Sequence, residues 1–317
     1  MTTIDRVSTA GQSAALLSQI EQANAALDKS QVQVSSGKVS TTYAGLGDKV
    51  AVLEAARTAA NKATAYQTNT TTAVNQADLQ DSQLSDLSDL SNQLRSAITG
   101  AVANGDGSTL MATASGIFDQ VSQILNTKDA NGNYLYGGDK DNTPPFTATS
   151  LSQLAALPSV SSAFANGTEK KSVMVGDGQS VQVGVLASDI GTGLMQTLSD
   201  LANFDASSSG NLASSTTLSG AQNTFLTNEI QVSANAATGV NAAAASNGFV
   251  YNQLQDAATH QSTLSTMYQG FVSNIENVDM PTAITQLNAN QTALQAALQV
   301  TAQLNQVSLL NYLPASG

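Results

Sequence analysis

Residues 283–313 read AITQLNANQTALQAALQVTAQLNQVSLLNYL, and their pattern decides the fold. Leu287 and Leu294 lie seven residues apart, and Leu298, Leu304, Val307 and Leu310 continue the apolar stripe at steps of three, four or six. Such spacing places one apolar side on a long helix. Gln, Asn, Thr and Ala fill the intervening positions, and no charged residue occurs from Ala283 to the C-terminus. A surface helix ordinarily carries Glu and Lys on its outer face. An uncharged outer face implies that this side is covered too, by copies of the same chain or a close relative.

The opposite end of the chain carries a matching pattern. Residues 4–35 read as a helix in which Ile20, Leu27 and Val34 are seven apart and Leu17 extends the seam. The complementary positions Ser13, Asn24 and Gln31 are polar, so this heptad is weak as an isolated helix. Ser35-Ser36-Gly37 reads as its end, with Gly supplying a left-handed cap. Residues 50–102 form a second long stretch, with Ala77, Leu84, Leu87, Leu94 and Ile98 in register. A helix of that length is about 80 Å long and needs parallel neighbours. A turn at Asn104-Gly105-Asp106-Gly107 leads to a third helix over 109–127. Helix resumes over 221–278, where Leu254, Ala257, Leu264, Tyr268, Phe271, Ile275 and Val278 share one register. Gly239 and Gly248 weaken it and mark a candidate bend. Pro281 suits the first turn of the last helix.

The middle differs in character. Tyr134-Leu135-Tyr136 is a strand-like run before Gly137-Gly138. Thr143-Pro144-Pro145-Phe146 excludes helix, because the prolines remove donors and restrict the preceding residue. Residues 172–186 read as a hairpin about Gly176-Asp177-Gly178. A short helix follows over 190–204, then a Ser/Gly/Thr linker. The expected fold is mainly α with a β-rich insertion. The N- and C-terminal regions make a long antiparallel helical bundle or coiled coil, and an α+β or β domain projects from it. The expected divisions are 1–137 for the first half of the helical core, 138–205 for the outer insertion, 206–220 for the linker and 221–317 for the second half.

Composition narrows the function. Eleven basic against 23 acidic residues give a net charge of −12, with no Lys/Arg cluster, which argues against a nucleic-acid groove. Charged residues are only 11% of the chain, well below the usual quarter or so. Cysteine is absent, so disulfides and thiolate metal sites are excluded. No apolar run approaches the roughly 20 residues of a membrane span. The N-terminus lacks a basic region followed by an apolar block, so no cleavable secretory signal is expected. His260 is the only histidine and has no partners at ligand spacing. Asp86 and Asp89 sit outside the leucine seam and read as a solvated face. Gly176-Asp177-Gly178 lacks the acidic ligands of a calcium loop and the Lys of a phosphate loop. Neither GxSxG nor HExxH appears. No enzymatic activity, cofactor or metal is expected.

Ser35-Ser36-Gly37-Lys38 after the N-terminal heptad, together with TALQAALQVTAQLNQVSLLNYL at residues 292–313, resembles the terminal segments of bacterial flagellins. Tyr134-Leu135-Tyr136-Gly137-Gly138, Thr143-Pro144-Pro145-Phe146 and the ending Ser308-Leu309-Leu310-Asn311-Tyr312-Leu313 resemble the hook–filament junction branch of that family. The resemblance covers roughly residues 1–146 and 221–313. It implies a structural protein of the extracellular bacterial flagellum, exported unfolded through the flagellar type III apparatus. Such a protein sits in one layer between hook and filament, with its termini in the axial core. Its implied partners are copies of itself in a ring or helical layer, a hook-associated protein on the hook side, flagellin on the filament side and an export chaperone. No nucleic acid or membrane insertion is implied. The assembly seam is then Leu17, Ile20, Leu27, Val34, Leu287, Leu294, Leu298, Leu304, Val307, Leu310 and Leu313. The alternatives are a filament flagellin that polymerises indefinitely, and a coiled-coil adhesin or phage-fibre subunit.

Overall fold

The computed structural model describes residues 3–310, and the side chains of residues 11–303. Its elements in chain order are α1 (Thr3–Ser36), α2 (Lys49–Asn104), α3 (Leu110–Leu125), α4 (Leu151–Ala155), β1 (Lys171–Gly176), β2 (Gln179–Val183), α5 (Ala187–Asp205), α6 (Gly220–Glu276) and α7 (Met280–Leu310). Short 3-10 turns occur at Tyr43–Leu46, Val160–Ala163 and Leu212–Ser214. The protein is thus mainly α-helical with one small antiparallel sheet. It divides into two compact units. One comprises the residues up to Lys62 and those from Leu264 onward; the other spans Ala63–Thr263.

The Ala63–Thr263 unit holds the large core. Leu84, Leu87, Leu94 and Ile98 of α2 recur at steps of three, four and seven and are all fully buried. α3 presents Leu110, Ala114, Ile117, Phe118, Val121 and Leu125 at the same period. α5 adds Ile190, Leu194, Leu198 and Leu201. Gly191 allows α5 to approach closely, since a Cβ there would lie 2.8 Å from Leu125 Cδ1 and 3.1 Å from the Phe164 ring.

The Tyr134-to-Phe146 stretch is a folded loop plugged into this core, and only isolated bridges at its two ends, Lys128 to Tyr134 and Phe146 to Phe164, have strand character. Tyr136 is fully buried, and its hydroxyl donates to Gln83 Oε1 at 2.6 Å. Gly138 has φ +65, and a Cβ there would meet the Glu169 carbonyl oxygen at 2.7 Å, so the turn requires glycine. Asn126 clamps Phe146 from both sides, donating to its carbonyl at 2.9 Å and accepting from its N–H at 3.1 Å. The Phe146 ring lies 6.0 Å from Phe118 and 5.2 Å from Phe164.

The expected hairpin is present as β1 and β2, with Val173 opposite Val181 and an irregularity between Met174 and Gly176. Val175, Val181 and Val183 pack on Ala73 and Ala77 of α2 and Leu254 of α6. Gln261 donates to the Val175 carbonyl at 2.8 Å, and the Tyr66 hydroxyl donates to Asp177 Oδ1 at 2.7 Å, which fastens the turn. The remainder of residues 138–205 is helical or looped, so this pair of strands is the only sheet among the described residues.

Two further features differ from expectation. α6 runs unbroken through Gly239 and Gly248. Its neighbours hold it there: Val240 is 1% exposed, and buried Asn247 donates to the Ala77 carbonyl at 2.8 Å. Tertiary packing thus overrides the low helix propensity of glycine. The Ser/Gly/Thr run after α5 is tied down rather than loose. Leu212 is fully buried, and Ser219 with Gln222 forms a reciprocal N-terminal cap on α6, with N–H bonds of 3.2 and 2.7 Å.

Candidate assembly site

The functional candidates lie in the other unit, on α1 and α7, which run antiparallel. The sense is fixed where they meet. Val39 N–H donates to the Glu276 carbonyl at 2.7 Å, Val278 N–H donates to the Gly37 carbonyl at 3.0 Å, and Lys38 bridges Asn277. Gly37 has φ +69, and its N–H reaches the Gln33 carbonyl at 2.9 Å, which ends α1 in a left-handed cap. Gln33 Nε2 donates to the Val39 carbonyl at 2.9 Å.

Charge reinforces this junction. Glu276 is 13% exposed and accepts from Arg57 of α2, with Lys38 Nζ 3.6 Å away. Arg57 also donates to the Tyr43 hydroxyl at 3.0 Å and to Glu54 at 3.1 Å. One carboxylate therefore joins α6, the post-α1 segment and α2.

Burial shows which faces meet. On α1 the covered residues are Leu16, Ile20, Ala23, Leu27, Ser30, Gln33 and Val34, and on α7 they are Ala283, Leu287, Asn290, Leu294, Ala297 and Thr301. Both sets alternate steps of three and four, as in a heptad seam. The second half of the α1 heptad is thus Leu16, Ala23 and Ser30, not Ser13, Asn24 and Gln31. At the centre of the contact, Asn290 Nδ2 donates to the Ala26 carbonyl at 3.0 Å and to Ser30 Oγ at 3.1 Å. Ser30 is 2% exposed, and its small side chain leaves room for the amide. A polar side chain hydrogen-bonded across a seam favours one register over its neighbours. Its signal in the sequence is the spacing Ala283, Asn290, Ala297, which the leucine stripe hid.

The expected seam residues therefore divide. Ile20, Leu27, Val34, Leu287 and Leu294 are half-buried within the α1–α7 contact. Leu17 at 61% exposure and Leu298 at 49% lie outside it, as do Val32, Ile284 and Val300. Leu304, Val307 and Leu310 fall on the helical backbone of α7, with side chains outside the described residues, and Leu313 is outside them altogether. His260, Asp86 and Asp89 are all exposed on helices. Among the described residues no group of three or more His, Asp or Glu could hold a metal ion, and no helix is long and apolar enough to cross a membrane.

Residues 230–313 match the bacterial flagellin C-terminal helical region. Over 72% of this chain the fold is similar to the structure of a putative flagellar hook-associated protein from Vibrio parahaemolyticus, 97% of which is covered, at 15% identity and a TM-score of 0.60. A crystal structure of Bacillus cereus FlgL is similar at 13% identity and a TM-score of 0.49, over 69% of this chain and 98% of that one. No curated protein matches the sequence.

Proposed function

We propose that this protein is a structural, non-enzymatic subunit of the bacterial flagellum, an adaptor at the junction of hook and filament. The observation that carries the proposal is the match of residues 230–313 to the flagellin C-terminal helical region, with α7 folded back on α1 as an antiparallel partner that carries no charged residue and leaves Ile284, Leu298 and Val300 about half exposed. The work of such a subunit is mechanical. Each copy presents Leu17, Leu298 and their neighbours to adjacent copies, and burial of these side chains orders the layer. Heterologous contacts of this kind build rings or helical layers. On this reading one face of the layer receives a hook-associated protein and the other receives flagellin. The chain travels by the flagellar export route with a chaperone and without a cleaved signal.

The family match also favours a second reading, a filament flagellin with the same fold. Stoichiometry separates the two. A single ring of copies at the filament base supports the adaptor; copies along the whole filament support the flagellin.

The test is deletion followed by microscopy and complementation. Hooks without filaments, with flagellin shed into the medium, are expected on deletion. Leu298→Asp is expected to fail in complementation while its Ala63–Thr263 unit keeps wild-type unfolding, because Leu298 lies outside the intrachain contact. Normal filament attachment by this variant would refute the seam.

A further inference from the structure

The chain contains four Asn-Gly pairs: Asn104-Gly105, Asn131-Gly132, Asn166-Gly167 and Asn247-Gly248. This dipeptide is the one most prone to lose ammonia, because glycine leaves the attacking backbone nitrogen unshielded. We propose that Asn131 is the protein's site of hydrolytic deamidation and the other three pairs are protected.

The step needs only the chain and water. The Gly132 nitrogen attacks Cγ of the Asn131 side chain and forms a succinimide. The Cγ–Nδ2 bond breaks, and ammonia leaves carrying the proton released from Gly132. Water then opens the ring at either carbonyl, giving aspartate or isoaspartate. The reaction requires a mobile side-chain amide and a backbone free to bring the next nitrogen against it.

Three of the pairs lack that freedom. Asn247 is 3% exposed within α6, and its amide is held on the Ala77 carbonyl. Asn166 donates to the Gly167 carbonyl at 2.8 Å and to Ser188 Oγ at 3.1 Å, and its Oδ1 accepts from Ser188 N–H at 3.2 Å. Asn104 is the last residue of α2, and the backbone after it is locked by Asp106 N–H on the Ala101 carbonyl at 3.1 Å and by Leu218 N–H on the Gly105 carbonyl at 2.7 Å.

Asn131 is exposed in a turn outside any helix, and its side chain makes no hydrogen bond among the described residues. The turn is held locally, by Gly132 N–H on the Asp129 carbonyl at 3.0 Å, by Asp129 N–H on the Asn133 carbonyl at 2.8 Å, and by Asp129 Oδ1, which accepts from Asn131 N–H at 2.8 Å and Asn133 N–H at 3.0 Å. Opening such a surface turn costs far less than opening a core helix. The product carries an added negative charge beside Asp129, and in the isoaspartate form an extra main-chain carbon in the turn.

The experiment ages the full-length native protein at mildly alkaline pH and maps its peptides by mass spectrometry. The tryptic peptide of residues 129–140 isolates this pair. Asn131 is expected to convert about tenfold or more faster than Asn166 and Asn247, in line with the difference between surface and core opening. In urea the four pairs should converge to similar rates. Asp129→Ala, which releases two of the four turn bonds, should accelerate conversion several-fold, and Asn131→Ser should abolish the mass gain in that peptide. Equal or faster conversion at Asn104, Asn166 or Asn247 in the native protein would overturn the proposal. So would an intact Asn131 over a period in which the urea-unfolded chain deamidates.

Discussion

Glu229 of α6 offers the sharpest energetic test of this fold. It is 6% exposed, and its Oε2 has no hydrogen-bond partner among the described residues. Burial, and secondarily the nearby carboxylate of Asp200 on α5, push its pKa up from 4.5 to about 7. Asp200 is itself raised by burial, an effect offset in part by the bond it accepts from Gln196. The folded state thus resists ionising Glu229, whereas the unfolded chain does not. Below the unfolded value the acid is neutral in both states and costs nothing electrostatically. As pH rises from about 4.5 through about 7, the unfolded state alone gains the ionised form, and stability falls. A shift of that size corresponds to roughly 3 kcal/mol, fully expressed above pH 7. Glu229→Gln removes the ionisation but keeps the shape. Its amide enters a place without an acceptor, which costs about 1–2 kcal/mol at every pH. The pH-dependent part is therefore the readout. Urea unfolding at about pH 4.5 and at about pH 8 should show the variant gaining roughly 3 kcal/mol relative to wild type between the two conditions. In a unit of this size that is a relative gain of about 6–12 °C in Tm. Asp200→Asn should move the wild-type transition to lower pH. A variant whose difference from wild type is the same at both pH values would refute the reasoning.

Two further outcomes follow from local geometry. Asn290→Ala removes both bonds to α1 and should weaken the α1–α7 pairing by about 1 kcal/mol, read as faster amide hydrogen exchange over residues 16–34. Gly191→Val forces side-chain atoms against Leu125 and Phe164 and should destabilise the Ala63–Thr263 unit by about 1–3 kcal/mol in urea unfolding, with α1–α7 exchange unchanged.

Much of this architecture was legible in the sequence because long helices repeat their signal. Leu84, Leu87, Leu94 and Ile98 announce the buried face of α2 four times over, and the valines about Gly176-Asp177-Gly178 announce the hairpin. What escaped was whatever depends on a partner. Ala23 and Ser30 form half of the α1 seam because they are small enough for close approach, yet small residues look neutral in an apolar count. Asn290 reads as surface until the carbonyl it serves is known. Leu17 sits beside Leu16, and periodicity alone did not say which of the two faces α7. Glu229 reads as an ordinary helix-surface acid. Only the approach of α5 takes it out of water.

The same contrast bears on why the terminal pair is the proposed assembly site. Ser30 is the only fully buried residue among 11–36, and Ala283 the only one among 280–303, whereas the core of the other unit buries whole side chains by the dozen. Two helices touching along one seam leave their remaining faces wet, and helices so weakly covered are marginal in water. Leu17, Val32, Ile284, Leu298 and Val300 are each about half exposed. Complete burial of a large aliphatic side chain contributes about 1.5–3 kcal/mol, so covering the exposed parts of all five offers roughly 4–8 kcal/mol per subunit before side-chain ordering is subtracted. That exceeds the roughly 1 kcal/mol that the Asn290 hydrogen bonds supply. On the proposed function, register is therefore set within one chain by polar contacts, while cohesion comes from apolar contact between chains.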